Sequence, residues 1–101
     1  MATAANNSAP DPQREFLRHT LATVAYRGGK ALRGAPSEFA SSRVGEGSRT
    51  PGEILAHMGD LLDWALSMAE GNQRWQNSAP MDWEEGVRRF HAGLLAFDDY
   101  L

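Results

Sequence analysis

Apolar residues recur along this chain with a helical period and never with a strand alternation. Phe16, Leu17, Leu21, Val24 and Ala25 fall at the three-and-four spacing of one helix face. Asp11 followed by Pro12 fits an N-cap and first helical position, and Gly28-Gly29 fits the stop. The second helix has the clearest start. Thr50-Pro51-Gly52-Glu53 places a hydroxyl at the cap, proline at the first position and glutamate at the third, which predicts a capping box. It runs from Pro51 to about Glu70, with Gly71-Asn72 as its stop. Its wide apolar stripe comprises Ile54, Leu55, Met58, Leu61, Leu62, Ala65, Leu66 and Ala69, with Asp60, Asp63 and Ser67 lying away from it. A third helix opens at Asp82-Trp83-Glu84-Glu85, acids in the first turn, and carries Trp83, Val87, Phe90, Leu94, Phe97 and Leu101. Gly86 and Gly93 each cost about 1 kcal/mol of helix propensity, so they are expected where another backbone comes close.

The spacing therefore predicts an all-α fold. Three helices belong to an up-down four-helix bundle with a long first crossover, residues 28–49, in which no period holds. Met1 to Pro12 is small and polar and reads as a mobile tail ahead of a single helical domain over residues 13–101. At Asp98-Asp99-Tyr100-Leu101 the apolar period is still running, with two acids near the negative end of the dipole. The expectation is a fourth helix that is missing or supplied by a partner chain, with a homodimer as one way of covering the stripes.

Composition narrows the chemistry. The 101 residues contain no cysteine, which excludes thiolate metal sites, cysteine nucleophiles and disulfides within the chain. Neither a secretory signal nor an apolar run of membrane-spanning length is present, so a soluble cytoplasmic protein is expected. The net charge of −3 divides unevenly: seven bases and four acids before residue 51, three bases and nine acids after it. That field disfavours nucleic acid. Lys30, Arg33, Arg43 and Arg49 in the crossover either attract an anion or form a solvated loop, and the absence of interleaved aromatics favours the loop.

The three histidines fall on different helices. His57 lies at the edge of the second stripe, one turn before Leu61 and on the side of Trp64 and Met68, where an imidazole faces a groove. Asp60 either orients that ring or is solvated, and solvation is the simpler reading. His19 and His91 read as surface or boundary residues. No helix carries two classical metal ligands one turn apart, and Glu84 and Glu85 point in different directions. Trp64 and Trp83 read as packing residues, whereas Trp75, in a polar connection, is either docked or exposed.

The stretch Arg49-Thr-Pro-Gly-Glu-Ile-Leu-Ala-His57-Met-Gly-Asp60-Leu-Leu-Asp-Trp64-Ala-Leu-Ser-Met-Ala-Glu-Gly71 resembles the second-helix signature of the DinB-like family, a group of four-helix metalloenzymes. The similarity is best from about Ser42 to Gly71. It implies that His57 occupies the first metal-ligand position, that the metal is a divalent ion such as zinc or nickel, and that the complete protein is a transferase or isomerase using a small thiol. The family's other ligand positions, two histidines of a fourth helix, have no counterpart in these residues. The alternative is a small helical dimerisation module without metal.

Overall fold

The computed structural model describes residues 11–101, apart from the Ser37 side chain, and the tail expected over Met1–Pro10 lies outside the described residues. Three α-helices and one short 3₁₀ turn account for its regular structure: α1, Pro12–Leu32; the turn, Ser37–Ser41; α2, Pro51–Ala69; α3, Trp83–Tyr100. The regular structure of the described residues is all-helical, and no described helix is long and apolar enough to cross a membrane.

Local chemistry sets the helix ends. Asp11 accepts the Gln13 amide at 2.9 Å, so residues 11 and 12 belong to the helix and not to the tail. Thr50 and Glu53 form the reciprocal capping box, with Glu53 N to Thr50 Oγ1 at 3.1 Å and Thr50 N to Glu53 Oε1 at 2.7 Å. At the other end of α2, Gly71 adopts φ +83°, Gly71 N donates to Met68 O and Asn72 N to Ser67 O. This is a Schellman closure, and its left-handed position suits glycine. Asp82 sits at the start of α3 as expected, but its side chain caps nothing.

The Gly28-Gly29 stop is overturned: α1 runs through both glycines to Leu32. A Cβ on Gly28 would lie 2.9 Å from Phe90 Cζ, and one on Gly29 would lie 3.3 Å from His91 Cε1. The pair is there because α3 presses against it. The crossover is correspondingly shorter, and its 3₁₀ turn covers the starts of α2 and α3: Phe39 meets Trp83 edge to face at 5.6 Å, and Ala40 O closes on Gly52.

α3 packs against both other helices. Against α2 it runs parallel, since Leu55 fills the space over Gly86, Leu62 that over Gly93, and Tyr100 OH donates to Ala69 O at 2.8 Å. Leucine knobs one heptad apart thus meet glycine holes one heptad apart, the geometry of shallow-angle helix pairs. Against α1 it runs antiparallel: Arg14 reaches Leu101 O, Arg18 reaches Asp98, and Gly28 meets Phe90. Strict up-down order is therefore not what forms, because α2 and α3 point the same way. The connection between them, residues 70–82, can extend to about 43 Å, enough to return along the roughly 28 Å of α2.

The core is Leu21, Leu55, Phe90 and Leu94, lined by Ala25, Met58, Leu62, Trp83, Val87 and Phe97 among others. Two expected stripes are rotated from their predicted faces. On α1, Phe16 is 74% exposed, and Leu17 and Val24 are also exposed. On α2, Ile54 and Leu61 are exposed whereas Asp60 and Ser67, expected outside, are buried. The reason is that the returning segment covers the polar side of α2.

Replacing Gly86 with leucine should destabilise the fold by about 2 kcal/mol through overpacking against Leu55. Gly45→Ala, where a Cβ meets only Ser48 Oγ at 3.8 Å, should be near neutral. Urea unfolding of both variants checks this; a more stable Gly86→Leu would mean that the glycines are only propensity defects.

Candidate functional site

The side of α2 away from α3 is where polar chemistry gathers, because the segment returning to α3 is stitched to it at two points. Near the C-terminal end, Ser67 Oγ accepts the Arg74 amide at 2.9 Å and donates to Trp64 O at 2.8 Å. Near the middle, Asp60 Oδ2 accepts Ser78 N at 2.8 Å, and Oδ1 accepts Ser78 Oγ and Arg89 Nη2, each at 2.7 Å. Arg89 also bonds Asp63 Oδ2 at 2.7 Å and Ala56 O at 3.2 Å. Its guanidinium lies on Gly59, where a Cβ would come within 2.6 Å of Nη1.

Asp60 is 2% exposed, and burial alone pushes its carboxyl up. The Ser78 amide, Arg89 and the Ser78 hydroxyl outweigh that cost and hold it below the usual aspartate range. Burial lowers Arg89 in turn, but its bonds to Asp60 and Asp63 leave it raised. The solvated Asp60 of the sequence reading is thereby corrected. Nor does Asp60 bond His57; its oxygens are taken by Ser78 and Arg89.

His57 is half-buried, one turn nearer the start of α2. Its ring meets Trp75 edge to face at 5.9 Å, and Trp75 meets Trp64 in the same manner at 5.6 Å. Trp75 thus touches both rings while staying 44% exposed, with Nε1 donating to Asn77 Oδ1 at 3.2 Å. A cleft of about 210 Å³ opens beside the imidazole, lined by Arg49, Glu53, His57, Asp60, Asn77, Ser78 and Pro80. A hollow of about 250 Å³, reached by Asp63, Arg74 and Gln76, lies along Trp75. The buried Trp64 Nε1 has no partner among the described residues, a deficit of about 1–3 kcal/mol.

The other histidines do not join this site. His19 is exposed on α1, and His91 is exposed on α3 with its ring against Phe90 at 5.4 Å. No group of three or more His, Asp or Glu side chains is placed to hold a metal among the described residues. Glu84 and Glu85 stay exposed at the start of α3. The basic residues of the crossover divide: Lys30 lies over the Tyr26 ring on α1, whereas Arg43, which bonds Ser48 O, and Arg49, which lines the cleft, both act by charge on Glu53, behind the larger effect of the Thr50 amide.

Arg89, Ser78 and Asn77 are missing from the sequence reading. Arg89 left one signal, since it lies between Gly86 and Gly93 on the face that meets α2. Ser78 and Asn77 left none, because an extended polar connection has no period to show what it touches.

The depressed Asp60 carboxyl contributes stability that is present above the unfolded aspartate pKa and lost as pH falls through the folded one, so the window lies below about pH 4. Asp60→Asn should cost about 3 kcal/mol at pH 7 by leaving Arg89 buried without its main partner. It should also flatten the loss of stability between about pH 4 and 2, as measured by denaturant unfolding; an unchanged acid slope would remove Asp60 as its source. Compared with known proteins, the chain matches no family model, no curated protein and no solved structure.

Proposed function

We propose that this chain is a DinB-like helical scaffold that presents His57 as one ligand for a divalent metal, zinc or nickel, in a transferase or isomerase acting with a small thiol. The observation carrying this is the half-buried imidazole at the lip of a polar cleft, on a helix stiffened by a capping box at one end and a Schellman closure at the other. A ligand on so constrained an element is held in place before anything binds. A bound metal would supply Lewis acidity or a lowered pKa at a bound thiol or water.

The described residues alone do not fit such an ion. His57 is the one uncommitted donor on its stretch of α2: Glu53 closes the capping box and Asp60 is held by Ser78 and Arg89. The remaining ligands have to come from a further helix, and no catalytic step is assigned to the residues described. Leu95, 61% exposed, and the groove between α1 and α3 lined by Leu21, Ala25 and Leu94 form a separate apolar surface that shares no residue with the His57 cleft.

A second reading rests on that same surface: a metal-free module in which two copies cover each other's α1–α3 groove. Elemental analysis of the purified protein should find zinc or nickel, lost in His57→Ala with helicity unchanged. Metal that persists in His57→Ala, or is absent from both proteins, overturns the metal reading. A metal-free dimer in sedimentation, dispersed by Leu95→Asp, would establish the second.

A further inference from the structure

We propose that the cleft beside His57 binds a small carboxylate ligand, with the Arg49 guanidinium and the Asn77 side-chain amide as its donors. The hydrogen-bonding inventory of the cleft carries this. Its acidic side chains already receive donors: Glu53 Oε1 takes the Thr50 amide, and Asp60 takes both Ser78 groups and Arg89. Two of its donors do not have acceptors. Arg49 is exposed at the cleft, where its charge acts on Glu53 without a close ion pair. Asn77 accepts Trp75 Nε1 through Oδ1, an orientation that leaves its NH₂ group for another acceptor.

A cleft whose buried carboxylate is fully engaged, and whose open side carries a guanidinium and an amide, suits a molecule rich in acceptors. The planar fork of arginine matches the two oxygens of a carboxylate. Size limits the ligand further. About 210 Å³ is below the range of roughly 300–1,000 Å³ that holds drug-sized molecules, so the ligand is a short acid. Of the two acids in the lining, Asp60 is paired with Arg89 from behind the cleft and Glu53 stands opposite Arg49, so Arg49 is the positive group that an acid would meet. The proposal is independent of the metal reading, since neither Arg49 nor Asn77 is a metal ligand there.

Trp75 supplies the readout, touching His57 and bonding Asn77. Protein freed of metal on a chelating resin is titrated with succinate in chloride buffer and followed by tryptophan fluorescence and calorimetry. Saturable binding is expected near about 1 mM. Arg49→Gln and Asn77→Ala should each weaken it at least about fivefold, the scale of a charged or well-placed hydrogen bond. Arg27→Gln, an exposed charge on α1, should leave binding unchanged. Trp75→Phe should abolish the fluorescence response while calorimetric binding remains. Thermal melts of Arg49→Gln should match the parent, so lost binding there cannot be lost fold. No saturation by about 100 mM, equal weakening by Arg27→Gln, or inorganic phosphate binding as tightly as succinate would each overturn the proposal.

Discussion

Three pieces of chain meet at one buried carboxylate. Asp60 belongs to α2, Ser78 to the returning segment and Arg89 to α3, and each bond between them is 2.7 or 2.8 Å long. Taking such charges out of water costs several kcal/mol per ion and is offset only when geometry and additional hydrogen bonds are good. Here Asp60 receives three donors, and Arg89 finds Asp63 and Ala56 O as well as Asp60. The pair therefore acts as a register device. Arg89 fits only because position 59 is glycine, and beyond its tie at Ser67 the returning segment is fixed where Ser78 reaches the carboxylate. A slip of one residue would leave a buried charge without its partners, a penalty large enough to exclude the alternative packing.

That anchor explains why α2 and α3 can run parallel without a helix between them. Parallel neighbours need a long return, and a long return through solvent brings little compensation for its ordering entropy. Here it is compensated by contacts along its length, with Ser67, Trp64, His57 and Asp60 each engaging it in turn. The α1 helix is held differently. Its polar ties to α3, Arg18 to Asp98 and Arg14 to Leu101 O, are exposed and therefore screened. Its apolar contribution comes chiefly from Leu21, Ala25 and Leu32. With Phe16, Leu17 and Val24 facing solvent, α1 is the element whose local opening should require the least free energy.

The helices themselves were legible because their signals are local. Thr50-Pro51-Gly52-Glu53 and Gly71-Asn72 determine their own hydrogen bonds within a few residues, and the α2 ends follow the sequence pattern. The glycines of α3 were legible as close contacts because propensity gave them no other reason to be there. Gly28-Gly29 misled because the same residue type ends helices and lets helices touch, and only the position of Phe90 separates the two. Asp60 and Ser67 were misplaced for a related reason. Helical periodicity identifies the apolar face, but it cannot show that a polar face will be covered by an irregular segment of the same chain. His57 was found at a cleft, although the wall opposite it is the returning segment and not another helix.

The burial of Asp60 also shapes what the neighbouring cleft can recognise. An unpaired aspartate one turn from His57 would make this a negative pocket, suited to cations and hostile to acids. Arg89, reaching from α3, neutralises it from behind and with Ser78 takes up its oxygens, while the capping box occupies one oxygen of Glu53, which stays ionised at the start of α2. What remains on the open side is Arg49, the Asn77 amide and an imidazole. The polarity of the cleft is thus set by bonds made to hold the fold together, and the buried acid in its lining becomes a structural part that leaves Arg49 and the Asn77 amide exposed to a ligand.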